Sequence, residues 1–241
     1  FTSLLANIAA PLFIAAGAGL LILELGRPFQ AWRVFLKPTA ILTFGAWSMS
    51  LAIICGLVYA SFGIAALPWS GWVIPRQVCA LLSAVFGLIV ATYPGVLLAR
   101  HKARPFWTGP AMPVGFLTSS LACAAAAHVA CNLILPPALA GLQGIVRGLA
   151  EGLLAFQLLF WVLYLWIKQS GATDREAAAA RLWITGKFAN AFRYGLLLAG
   201  TLLPLVLFIL PGTALNAVAA LLAVAGGLIL RLLVVYSGEV R

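Results

Sequence analysis

Long apolar runs separated by short polar segments make up almost the whole chain. Seven runs can be counted, at 3–25, 41–66, 76–99, 107–131, 138–167, 191–211 and 213–236. A hydrocarbon core of about 30 Å needs about 20 apolar residues in each helical span. Each run is longer than a barrel strand and lacks a two-residue alternation. The pattern therefore predicts an all-α fold, a polytopic transmembrane helix bundle that forms one integral membrane domain over residues 1–241.

The polar segments between these runs are of two kinds, which alternate along the chain. Residues 26–40, 100–106 and 168–190 are rich in Lys and Arg, whereas LPWSGWVIP, NLILPPAL and LPGTA are uncharged. Because basic loops stay on the cytoplasmic side of a membrane, we expect the basic segments and the C-terminal end to be cytoplasmic. The Ala-rich stretch REAAAARLW within 168–190 predicts a short cytoplasmic helix.

Composition excludes several other classes of protein. The chain is 64% hydrophobic and 8% charged, and its 15 basic residues outnumber 5 acidic ones. Since the basic residues lie beside apolar spans, we expect no nucleic-acid partner. The 4 cysteines have no CxxC spacing, which argues against a metal site or an iron–sulfur cluster in this chain. Without hydrolytic motifs such as GxSxG or HExxH, no catalytic residue is predicted.

Arg147 and Glu151 form the clearest polar pair within an apolar run. Their spacing of four residues places them on one helix face, and the run predicts a depth of about 15 Å at 1.5 Å per residue. Charged groups at this depth are costly and commonly pair with each other. Two interpretations stay open, a buried structural ion pair or a station in a proton or ion path.

The two histidines decide whether the chain could hold a bis-imidazole haem. His101 follows one helix on the basic side, and His128 lies about 30 Å away along the next helix. A shared haem would need both at similar depth on facing helices. We therefore expect no haem, and His128 is either a hydrogen-bonded helix contact or a ligand.

Two stretches resemble motifs of a known family. LELGRPFQAWRVFLKP at 23–38, followed by LTFGAWS, resembles the pattern DLGRPxRxWRxxxxP…SxGxW. ATYPGVLLARHKARPFWTGPAMPVGFLTSSLACAAA at 91–126 resembles YTGxLLxxxxRPxWxxPxLPxLFLxSAL. Both patterns are typical of the NrfD/PsrC family of membrane subunits. Glu24 stands where the family has Asp, which preserves a carboxylate, and Pro94 stands where it has Thr; the later spans match mainly in hydropathy.

The resemblance implies a fold and a function. Members of this family are quinone-handling anchors of multi-subunit oxidoreductases, built as two four-helix bundles whose first helix would precede residue 1 here. It implies binding of a quinone or quinol, either menaquinone or ubiquinone, in the inner membrane of a prokaryote. The implied partners are a ferredoxin-like, four-cluster iron–sulfur subunit, a molybdopterin catalytic subunit and membrane lipid. An alternative function is a small-solute or ion transporter that uses Arg147 and Glu151.

The resemblance and the polar pattern together define candidate site residues. The family's quinone-binding motif maps to Tyr93 and Gly95. Candidates for a proton path or a buried ion pair are Glu24, His128, Arg147 and Glu151. Candidates for contact with a partner subunit or lipid headgroups are Arg27, Arg33, Arg100, His101, Arg104 and Trp107. The resemblance further implies that the polar run after the first span is a surface loop and a helix-end anchor.

Overall fold

The computed structural model describes residues 4–24, 26, 28–36, 40–101, 104, 106–134, 141–170 and 174–238, and within them all regular secondary structure is helical. Within these residues, 7 helices are long and apolar enough to cross a membrane. The expected all-α, polytopic membrane fold is therefore confirmed.

The spans follow the apolar runs closely. They are α1 (Leu4–Glu24), α2 (Ile41–Ser61), α3 (Val73–Ala99), α4 (Ala111–Ile134), α5 (Leu142–Ser170), a π-helix (Ala191–Leu202) continued by α7 (Leu203–Ile209), and α8 (Thr213–Ser237). The short helix α6 (Asp174–Ile184) coincides with the Ala-rich stretch, so that helix is confirmed.

Some helix ends differ from the ends of the apolar runs by several residues, and two of these differences have local causes. The run 41–66 extends beyond the end of α2 at Ser61. The residues that follow form turns, in which Trp69 Nε1 donates a hydrogen bond to Ser61 Oγ at 3.1 Å. The run 107–131 starts too early because Gly109 has a φ of 125°. That backbone conformation is not helical and favours glycine, so α4 begins only at Ala111.

The chain divides into two compact units, 1–93 and 94–241. In the first unit, α1 packs on α2 through small residues. A methyl group built on Gly56 would lie 3.2 Å from Pro11 Cβ, so the two helices approach closely there. Close approach through small residues is how membrane helices gain van der Waals contact in the absence of a hydrophobic driving force.

The polar run after α1, which the resemblance predicts to be a surface loop and a helix-end anchor, forms a 3₁₀ helix, Pro28–Leu36. Two contacts hold this helix against the start of α2. Thr43 Oγ1 donates a hydrogen bond to the Val34 carbonyl at 2.6 Å, and Phe35 meets Trp47 edge-on with ring centroids 5.3 Å apart. The segment is therefore an ordered element of the first unit.

In the second unit, α4 packs against both α5 and α8, and the π-helix packs against α8. Glycines permit the closest of these contacts. A methyl group built on Gly200 of the π-helix would lie 2.5 Å from Gly226 Cα of α8, and one built on Gly115 of α4 would lie 2.8 Å from the Phe160 ring. A larger residue at position 200 would force the π-helix and α8 apart, because the atom it meets belongs to the backbone.

An aromatic cluster fills one end of the second unit. It is formed by Phe106, Trp161, Tyr164, Trp183 and Phe192, all of which are buried. Trp183 comes from α6, stacks on Trp161 with centroids 5.5 Å apart, and donates a hydrogen bond to Ser237 Oγ at 2.9 Å. The short helix α6 is therefore part of the core of this unit, although it does not span the membrane.

Candidate functional site

Tyr93 lies on α3 and packs its ring directly on Gly45 of α2, within the first unit. Gly45 is buried, and the three atoms nearest to a methyl group built on it all belong to the Tyr93 ring. The absence of a side chain at Gly45 thus provides the space that the tyrosine ring occupies.

The Tyr93 hydroxyl oxygen is buried and has no hydrogen-bond partner in the described part of the chain. Most buried polar groups in proteins are hydrogen-bonded, because leaving one unsatisfied costs about 1–3 kcal/mol. The neighbouring hydroxyl of Thr92 contrasts with it, since that group donates to the Leu88 carbonyl of its own helix at 2.8 Å. A phenol cannot satisfy itself in this way because its hydroxyl is held far from its own backbone.

The Tyr93–Gly45 contact lies near the ends of the helices that form it. Tyr93 is about 9 Å before the last residue of α3, and Gly45 is about 6 Å after the first residue of α2, at 1.5 Å per residue. Both of these helix ends adjoin predicted basic segments. The tyrosine therefore lies towards the end of α3 that adjoins the predicted basic segment 100–106.

Gly95, the other residue of the tyrosine motif, is occupied by helix packing. A methyl group built on it would lie 2.6 Å from Pro113 Cα and 2.8 Å from the Met112 carbonyl oxygen, at the start of α4. Two residues on a helix are about 200° apart around its axis, so Tyr93 and Gly95 point to nearly opposite sides of α3. The structure does not bring Gly95 to the tyrosine hydroxyl.

Arg147 and Glu151 form an ion pair, with Arg147 Nε 3.6 Å from Glu151 Oε1. Because α5 begins at Leu142, Arg147 lies about 7.5 Å from the helix start, which is nearer to it than the 15 Å that the apolar run predicts. The side chains are 38% and 28% exposed, so the pair is partly exposed and not buried within the chain.

The other candidates for a proton path lie in different environments. His128 is half-buried on α4, where it hydrogen-bonds with the backbone of Ala124. Glu24 is the exposed last residue of α1. His101 is exposed just after α3, whereas His128 lies about 26 Å along α4 from its first residue.

Two of the residues expected at a partner or headgroup contact are held by the second unit itself. Trp107 donates its indole N–H to the Val234 carbonyl at 2.7 Å. Arg104 lies with its guanidinium carbon 5.9 Å from the centroid of the Trp107 ring, and one of its guanidinium nitrogens is buried without a hydrogen-bond partner in the described chain. Both side chains are half-buried, so their direct availability to a partner is limited.

The remaining residues of that group are exposed or lie outside the described residues. Arg33 is exposed on the 3₁₀ helix and donates to Gln30 Oε1 at 2.9 Å. Arg100 and His101 are exposed at the end of α3, with the His101 ring edge-on to Trp107 at 5.9 Å. Arg27 lies outside the described residues.

Several residues that organise the segment before α4 were not predicted from the sequence. Tyr164 donates its hydroxyl to the Phe106 carbonyl, and Lys168 donates to the Thr108 carbonyl at 3.2 Å. Lys168 also pairs with Glu176 of α6 at 2.7 Å. Gly45 was part of the first motif but was not singled out, because only the fold reveals which ring it meets.

These features define an integral membrane protein in which a buried phenol, near the ends of α2 and α3, has no hydrogen-bond partner among the described residues. The sequence matches the NrfD-type polysulfide reductase family over residues 4–241, and the chain belongs to that family. The resemblance of its two motifs is thereby confirmed. Membership in the family, together with the seven spans, makes the chain a membrane anchor of a redox complex.

A named relative supports the same assignment. The protein is similar to the C subunit of polysulfide reductase from Wolinella succinogenes, with 26% identity over 260 residues, which cover 96% of this chain and 80% of that subunit. The similarity extends across nearly all of the described spans. It is therefore not confined to the two motifs near residues 23–50 and 90–125.

Proposed function

We propose that this chain binds quinone or quinol beside Tyr93 and exchanges electrons with an iron–sulfur subunit of the same complex. The observation that carries this proposal is the buried Tyr93 hydroxyl, which has no hydrogen-bond partner in the described chain. A phenol is both a donor and an acceptor, and its donor suits a quinone carbonyl. An unsatisfied donor in an apolar bundle therefore fits this ligand.

The position of Tyr93 also supports the proposal. A quinone supplies two-electron and two-proton redox chemistry, which protein side chains lack. The sequence predicts no haem or iron–sulfur cluster in this chain, so electrons must pass directly between the quinone site and a cluster in a partner. Such a transfer needs a site near one membrane face, and Tyr93 lies about 9 Å from the end of α3.

Family membership supports a multi-subunit assembly. The relative from Wolinella succinogenes is named as one lettered subunit of polysulfide reductase, which indicates an enzyme made of several subunits. We propose as partners a ferredoxin-like, four-cluster iron–sulfur subunit and a molybdopterin catalytic subunit, with exposed Arg100 and His101 at the contact surface. We further propose that the basic segments lie on the cytoplasmic side of a prokaryotic inner membrane.

The position and exposure of the Arg147–Glu151 pair do not favour the alternative function as a transporter. It needed Arg147 and Glu151 at the bilayer middle, where a transported solute would bind. The bounds of α5 put the pair about 7.5 Å from the start of the helix. Its side chains are also partly exposed, which does not describe an enclosed solute site.

Replacement of Tyr93 by Phe tests the proposed quinone site. Loss of one hydrogen bond of about 0.5–1.5 kcal/mol should lower quinol turnover at limiting quinol several-fold and weaken binding of a short-chain naphthoquinone by a similar factor. Turnover is measured on the purified complex, and binding by calorimetry on the same sample. Tyr194→Phe is the control, because Tyr194 is 63% exposed and distant from the site in sequence.

The amount of assembled complex must be compared in both variants. Normal turnover and normal naphthoquinone binding in Tyr93→Phe would remove Tyr93 from the quinone site. An equal loss in Tyr194→Phe would indicate a general effect of removing a tyrosine hydroxyl.

A further inference from the structure

We propose that Gly45 is a positioning residue that fixes where the Tyr93 hydroxyl stands in the quinone site. This inference rests on the proposed function of Tyr93. It goes beyond that function because it assigns a role to a residue that has no functional group of its own.

Gly45 and the Tyr93 ring are in direct contact. A methyl group built on Gly45 would lie 2.9 Å from Tyr93 Cδ2 and closer still to Cε2 and Cζ. The atom Cζ carries the phenolic hydroxyl. Any side chain at position 45 would therefore push on the very part of the ring that holds the proposed hydrogen-bond donor.

If a side chain were added at position 45, either α2 or the Tyr93 ring would have to move. α2 is held by Thr43, whose hydroxyl donates to the Val34 carbonyl at 2.6 Å, and by the close packing of Gly56 on Pro11. The Tyr93 ring, in contrast, is the outer end of a side chain that can rotate about two torsions. An added methyl group at position 45 should thus displace the ring and leave the helix in place.

The Tyr93 ring is held in place by packing and not by a hydrogen bond of its hydroxyl within the described residues. The Tyr93 hydroxyl has no hydrogen-bond partner in the described residues, so no polar contact there opposes a displacement. The place of the hydroxyl then depends on the surfaces against which the ring packs, and Gly45 is one of these. A glycine in this position acts through the tyrosine and does not itself need to touch the quinone.

A spectroscopic experiment tests the structural half of this proposal without any quinone. The chain has 5 tyrosines. A complex labelled with 3-fluorotyrosine should therefore give about five ¹⁹F resonances from this chain. The resonance that is lost in Tyr93→Phe belongs to Tyr93. In Gly45→Ala this resonance should shift while the other tyrosine resonances keep their places. An unchanged Tyr93 resonance would overturn the proposal.

Two glycines of the same unit provide matched controls. Gly87 lies on α3 with no atom within 4 Å of an added methyl group, so Gly87→Ala should leave the Tyr93 resonance unchanged. Gly56→Ala adds a methyl group to α2 itself, 3.2 Å from Pro11. If Gly56→Ala shifted the Tyr93 resonance as much as Gly45→Ala does, general loosening of α2 would explain the result and the proposal would fail.

Equilibrium binding of 2,3-dimethyl-1,4-naphthoquinone tests the functional half. Gly45→Ala should weaken binding about three- to tenfold, as expected when one hydrogen bond is misplaced, whereas Gly87→Ala should not. The double variant Gly45→Ala/Tyr93→Phe should bind no more weakly than Tyr93→Phe alone, because Gly45 acts through the hydroxyl. Additive losses in the double variant would contradict this route.

The two proposals fail in different ways. If Tyr93→Phe binds naphthoquinone normally, the proposed quinone site is wrong, whatever the fluorine spectra show. If Tyr93→Phe weakens binding but Gly45→Ala neither shifts the Tyr93 resonance nor weakens binding, the quinone site stands and the role of Gly45 is wrong.

Discussion

Short hydroxyl side chains can donate within their own helix. Thr118 and Ser50 donate to carbonyls one turn earlier on their own helices, at 2.9 Å each. The phenol of Tyr93 cannot reach its own backbone in this way. A hydrogen-bond partner for it must come from another element or from a bound molecule.

The Arg147–Glu151 pair leads to a prediction at the same scale. Because a lone charge facing a membrane interior is the costly state, Arg147→Leu or Glu151→Leu alone should lower the yield of assembled complex more than the double Leu variant does. The position of the pair near the start of α5 favours this structural role. Yield is measured by fluorescence-detected gel filtration, together with quinol turnover.

One result for the double Leu variant would contradict the structural role of the Arg147–Glu151 pair. A double Leu variant that assembles fully but turns over slowly would place Glu151 in proton transfer. In that case Glu151→Gln should also lose more activity at high pH, where protons are scarce.

The sequence led to only part of the candidate site. Tyr93 was found because a motif of several residues surrounds it. The contact of Gly45 with the Tyr93 ring could not be predicted, because a glycine is informative only when its spatial neighbour is known. The position of Arg147 along its helix differs from the prediction because apolar residues continue before the start of α5 at Leu142, and a hydropathy pattern does not show where a helix begins.

At the scale of elements, the segment between α3 and α4 is fixed by a side chain of α5 and a backbone carbonyl of α8. The Tyr164 hydroxyl donates to the Phe106 carbonyl, and Trp107 donates to the Val234 carbonyl at 2.7 Å. Phe106 itself is 2% exposed and lies against the Trp183 ring at 5.3 Å. Phe106 and Trp107 are therefore docked on the second unit.

Removal of the Tyr164 hydroxyl should loosen this segment. Tyr164→Phe leaves the Phe106 carbonyl without this donor, which should cost about 1–3 kcal/mol and lower the thermal unfolding midpoint of the purified protein. Tyr236→Phe is the control, because Tyr236 is 48% exposed on α8. Equal midpoints for the two variants would show that the Tyr164 bond contributes little.

The helical spans were predictable because their length and apolar composition are set by the bilayer. The 3₁₀ helix and the π-helix could not be predicted in the same way. The 3₁₀ helix at Pro28–Leu36 depends on Thr43 and Trp47 from the next span, which supply its contacts. The π-helix at Ala191–Leu202 is defined by the register of its backbone hydrogen bonds, and composition does not reveal register.

At the scale of the whole molecule, the placement of the histidines predicts the optical spectrum. His128 lies about 26 Å along α4 from its start, and His101 precedes that helix. These are the 2 histidines of the chain, so a bis-imidazole haem cannot form within it. The purified subunit should show no Soret band and no reduced-minus-oxidised haem spectrum, and a haem signal assigned to this chain would refute the argument.

The last turn of α8 has a consequence for biosynthesis. Val234 and Ser237 accept the indole hydrogen bonds of Trp107 and Trp183, which are residues made much earlier during translation. Until the ribosome has delivered that turn, both indoles lack their acceptors, and the second unit cannot complete its core. A nascent polypeptide stalled before residue 234 should therefore remain a substrate for membrane quality-control proteases, even with its earlier spans already inserted.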